Sequence, residues 1–140
     1  MAVDVFSIES YDFYVTKGDT ANLKFEFVDK NGNPINITNW KCKFSLRNPI
    51  TLEIILTKEH DDTITGGAGI YYAGDTQAPV GLNLTSNNQL VVIINYEETA
   101  ELEPQVYPFD LEFTVEGQAT VKYTAVKGNL IITKEVTPSV

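Results

Sequence analysis

The chain has 140 residues, which is room for one hydrophobic core and too little for two. With 43% hydrophobic and 21% charged residues it has the balance of a folded globular domain, and no run approaches the roughly 20 apolar residues that cross a bilayer, so no membrane partner is expected. The net charge of −9 repels phosphate backbones and the lysines are scattered (Lys24, Lys41, Lys43, Lys122), so no nucleic-acid partner is expected either.

The first residues, Met1 to Val5, lack the basic segment and apolar run of a signal peptide. The expectation is a protein that stays where it is made or leaves inside an assembly. Residues 1–13 read as an aromatic N-terminal arm, with Phe6, Tyr11 and Phe13 crowded before the first clean strand and Tyr14 just beyond. Such side chains are costly to leave in water, so the arm either closes one end of the core or docks on a neighbouring subunit.

From there to the C-terminus the dominant signal is period-two alternation. Ala21, Leu23, Phe25 and Phe27 share one face of a strand; Trp40, Cys42, Phe44 and Leu46 share another; Tyr107, Phe109, Leu111 and Phe113 a third. Val121, Tyr123 and Ala125 continue the pattern, and Leu130-Ile131-Ile132 follows. Gln89 to Ile94 is a continuous apolar run, as in a central strand buried on both sides or one that faces a partner. Turns punctuate these strands at Asp29 to Pro34, where Gly32 can take positive φ, and at Glu116-Gly117; Lys127-Gly128-Asn129 reads as a bend before the last strand. Glu97 to Leu102 is the only helical stretch, one turn stopped before Pro104. Residues 59–88 form a loop-rich insertion with short strands near Gly69–Tyr72 and Leu82–Thr85. The pattern predicts an all-β, immunoglobulin-like antiparallel β-sandwich, a single domain over residues 14–137.

Nothing in the sequence assembles a catalytic or metal site. His60 is the only histidine and reads as a solvated loop residue beside Asp61 and Asp62; no nucleophile motif surrounds it. Glu59, Asp61 and Asp62 lack the spacing of a calcium loop, and Gly66 to Gly69 lacks the lysine and helix of a phosphate loop. Cys42 is the only cysteine, so no intrachain disulfide can form, and its place on a buried face makes it a core residue. No enzyme activity, cofactor or metal is expected. Tyr71 and Tyr72 could form a sugar-stacking platform or pack structurally. Together with Phe6, Tyr11, Phe13, Tyr14 and His60 they make up the candidate interface set.

The order of the motifs is informative as a whole. Lys17-Gly18-Asp19-Thr20 opens a strand; Asp29-Lys30-Asn31-Gly32-Asn33-Pro34 leads through Ile35 to Asn39 into Trp40. Glu97 to Pro104 precedes Tyr107-Pro108-Phe109, and Val126 to Leu130 closes the series. This resembles the immunoglobulin-like domain of tailed-phage tail and baseplate proteins, including the small collar proteins of long non-contractile tails, over about residues 14–137. One departure is Gln105, where the family tends to have glycine after the proline. Pro104 to Tyr107 also has the makings of a tyrosine corner, a buried ring whose hydroxyl bonds upstream backbone.

The resemblance implies a structural virion protein of the tail, made in the host bacterial cytoplasm. It would be a homo-oligomer, a collar or baseplate ring of six or twelve copies around the tail tube, to which fibres or receptor-binding proteins attach. A carbohydrate- or receptor-binding module and a capsid decoration protein are the alternatives on the same sandwich.

Overall fold

The computed structural model describes residues 9–38, 40–60, 69–75, 81–82, 84–114 and 122–134. Alternating strands whose apolar faces must meet produce two sheets packed face to face. The larger sheet runs β1-β8-β7-β3-β4, built from β1 (Glu9–Thr16), β3 (Lys41–Arg47), β4 (Ile54–His60), β7 (Val106–Thr114) and β8 (Lys122–Thr133). The smaller runs β2-β6-β5, from β2 (Ala21–Glu26), β5 (Ile70–Tyr72) and β6 (Gln89–Ile94). One short helix, α1 (Tyr96–Ala100), links β6 to β7.

In the lettering of immunoglobulin domains, β2, β6 and β5 stand as B, E and D, and β8, β7 and β3 as G, F and C. The added strand β4 lies beside C, and β1 lies parallel to G. The fold is an all-β, immunoglobulin-like sandwich. At the E–F corner the Tyr107 hydroxyl donates to the Glu103 carbonyl at 2.8 Å, which is the expected tyrosine corner. Gln105 joins it by donating from Nε2 to the same hydroxyl at 3.1 Å.

Antibody domains tie strands B and F by a disulfide whose second cysteine lies two residues after the corner tyrosine. Here that position is Phe109. Its ring meets Phe25 of β2 edge-on at 6.1 Å, Phe44 of β3 at 5.2 Å and Phe13 of β1 at 6.1 Å. Edge-to-face aromatic packing therefore spans the sheets where a covalent bond would otherwise do so. Phe27 and Trp40 extend the cluster against Phe113. The expected inward faces of β2, β3 and β7 are buried, and β6 is a central strand with Leu90, Val91, Val92 and Ile94 all buried.

Four expectations are corrected. Residues 9–13 of the supposed arm belong to a strand, Glu9–Thr16, paired residue for residue with Val126–Thr133. Lys127-Gly128-Asn129 is no bend: β8 runs straight through it, and Gly128 is there because β1 passes against it. Around Leu82–Thr85 the described residues form no strand, whereas β5 does form at Ile70–Tyr72. The helical turn starts one residue early because Asn95 caps it, accepting from Glu98 N while Glu98 reaches back to Asn95 N.

Candidate functional site

The candidate interface residues part company in the structure. Tyr11 and Phe13 face inward from β1 and pack on Phe25, so they close the core. Tyr14, their neighbour on the opposite face, is 71% exposed. Phe6 lies outside the described residues, as do Asp61, Asp62, Gly66 and Gly67.

Tyr71 and Tyr72 cannot form a joint platform, because consecutive strand residues point to opposite faces. Tyr72 is buried, its hydroxyl donating to the Trp40 carbonyl at 2.7 Å, while Tyr71 is half-buried on the outer side.

His60 is not a solvated loop residue: it ends β4, is 8% exposed, and stacks on Tyr72 with ring centroids 3.9 Å apart. Its Nε2 is 2.9 Å from Asp75 Oδ2, an oxygen that also accepts from Tyr72 N at 2.7 Å. Nδ1 is buried with no hydrogen-bond partner among the described residues. A histidine oriented by an aspartate is half of a nucleophile-activating arrangement. The residue across the β3–β4 ladder is Cys42, but no hydrogen bond joins it to Nδ1, and full burial pushes its thiol well above the ordinary range. The group therefore serves to fasten β5 against β4. A shallow depression of about 200 Å³ lies beside it, lined by Lys41, Lys43, Glu59, Glu112 and Thr114 on the outer face of the larger sheet. Among the described residues no three histidine, cysteine or acidic side chains converge as a metal site.

The more informative feature is one end of the sandwich. There β1 and β8 finish, β7 begins, the β3–β4 hairpin turns and α1 makes the E–F corner. Of the large hydrophobic side chains exposed among the described residues, all but Val28 sit at this end: Tyr14, Ile50, Leu52, Ile54, Ile55, Tyr96 and Val106. Register puts Tyr14 and Val106 on either side of Ile131 in one row across three strands. Exposed apolar side chains gathered in one place mark a contact surface more often than scattered ones do.

This end is also rigidly built. Lys17 Nζ donates to the last carbonyls of the helical corner, Ala100 at 2.8 Å and Leu102 at 2.9 Å. Buried Thr99 holds the β1–β2 turn, accepting from Gly18 N and donating to the Asp19 carbonyl. In the hairpin the Asn48 side chain accepts from Ile50 N and Thr51 N, and Arg47 Nη1 donates to the Leu52 carbonyl. Leu52 is held at φ 63°, a left-handed conformation that costs a side-chain-bearing residue about 1–2 kcal/mol. The hairpin spends that energy while displaying Ile50, 88% exposed, and Leu52 to water. Sequence reasoning singled out Tyr14 but missed the rest of this surface, because its residues are spread from Tyr14 to Val106 and share no motif.

No protein-family model and no curated protein matches the chain. Among solved structures it is similar to the extracellular domain of the voltage-gated sodium channel beta4 subunit, described as parallel homodimers with a role in cell–cell adhesion. Identity is 14% and the TM-score 0.44, covering 96% of this chain and 100% of the other. A second structure, from work on multimeric cell-adhesive interactions of sodium-channel beta subunits, is 14% identical with a TM-score of 0.37, covering 91% and 93%. Likenesses this distant carry no statement about function, and the fold assignment rests on the strand order above.

Proposed function

We propose that the chain is a structural virion protein of a long-tailed phage, a homo-oligomeric collar or baseplate ring around the tail tube to which fibres or receptor-binding proteins attach. The reading starts from the ordered motifs over residues 14–137, and one geometric observation supports it. The larger sheet ends in β1 on one side and β4 on the other, and these two strands run in opposite directions. A copy placed beside the first would bring its β1 against the neighbour's β4 as an antiparallel pair, the geometry of edge-to-edge strand addition. Such a contact is head-to-tail, so it repeats from copy to copy and closes into a ring when the rotation allows.

The experiment is localisation on the particle: gold-labelled antibody against the chain, viewed by electron microscopy on tailed virions. Label confined to a ring on the tail supports the reading. Label on the head would make the chain a capsid decoration protein and overturn it. The carbohydrate-binding alternative loses its two-tyrosine platform, since Tyr72 is inside.

A further inference from the structure

The apolar end described above carries a charge pattern that says what it meets. Asp19, Glu53, Glu97, Glu101 and Glu103 are all exposed there, from the β1–β2 turn, the hairpin and the E–F corner. Three cations that reach this end are already engaged: Lys17 on helix carbonyls, Arg47 on Asp110 at 3.1 Å and the Leu52 carbonyl, and Lys58 on Glu98 of α1 at 2.6 Å. Lys134, just past β8, is the remaining exposed cation there among the described residues. We propose that this end binds a partner protein whose surface presents lysine or arginine around an apolar depression. Ile50 and Leu52 enter the depression, and the carboxylates meet the basic rim.

A second copy is the poorer occupant. Two such ends face to face would set five carboxylates against five, and like charges across an interface oppose association. The proposal is distinct from the ring: pairing of the β1 and β4 edges would join copies, while the hairpin turn and α1, which carry Ile50, Leu52 and Tyr96, stay free for a different protein.

The test uses the full chain and a fluorescent synthetic peptide of alternating leucine and lysine, with leucine–glutamate and serine–lysine peptides as controls. Binding is read by anisotropy and located by hydrogen–deuterium exchange. The leucine–lysine peptide should bind and protect the segments 47–55 and 96–106. It should bind about tenfold or more weakly to I50S/L52S, whose two residues are exposed in the hairpin turn outside β4 and whose melting should not fall. The triple variant E97Q/E101Q/E103Q should weaken binding several-fold and flatten its salt dependence. No binding, equal binding of either control, or protection elsewhere would overturn the proposal. Each of these readouts is separate from the molar mass that tests the ring.

Discussion

Gly128 of β8 lies directly across from Tyr11 of β1, and a Cβ at Gly128 would overlap the Tyr11 carbonyl oxygen and stand 2.7 Å from Phe109 Cζ. Neither obstacle is the free end of a flexible chain: one is backbone and the other belongs to the aromatic cluster. The parallel attachment of the first strand thus depends on the absence of one methyl group. Gly128→Ala should destabilise the domain by about 1–3 kcal/mol, the range for overpacking a tight site. Denaturant unfolding measures the loss, and hydrogen exchange should show it concentrated in β1. An unchanged midpoint would mean that the strand shifts freely.

The E–F corner predicts a smaller effect. Tyr107→Phe keeps the buried ring and removes the hydroxyl that donates to Glu103 and accepts from Gln105. The expected loss is about 1 kcal/mol, as for one buried hydrogen bond. It is read as a shift in urea midpoint at constant slope.

Phe109 should be the costliest truncation. It touches three other rings from three strands, in the place where a disulfide joins the sheets of antibody domains. Phe109→Ala should lose about 3–5 kcal/mol. Phe109→Leu, which refills much of the volume, should recover more than half of that; equal losses would show that packing around the ring is unimportant.

Cys42 gives a chemical readout of global opening. Burial, and next to it the nearby Glu112 carboxylate, raise its thiol above the ordinary value of 9.0. The folded state therefore holds its proton more tightly than the unfolded state. The stabilisation this represents is complete below pH 9, and it is lost as pH rises above that value toward the folded pKa. Iodoacetamide should leave the folded chain unmodified at neutral pH and react fully once denaturant unfolds it, as followed by intact mass.

Much of the fold was legible because β2, β3 and β7 each bury one face and wet the other, so Leu23, Phe44 and Leu111 announce themselves by spacing. The tyrosine corner was legible from Pro104 and Tyr107. Strand β4 was not, because Ile54 and Ile55 are both exposed and the alternation fails there. The role of Gly128 was hidden because glycine marks both bends and close approaches, and only the distant partner Tyr11 distinguishes them. His60 was misread for the same kind of reason: Asp75 and Tyr72, which make its burial tolerable, come from another sheet's strand and its following turn. The apolar end is assembled from five separate elements, so no local pattern could reveal it.

The molar mass of the purified full chain, by light scattering behind size exclusion, tests the central claim most directly. The account predicts a discrete high oligomer, six or twelve copies, held by lateral strand edges. A monomer at every concentration would contradict it.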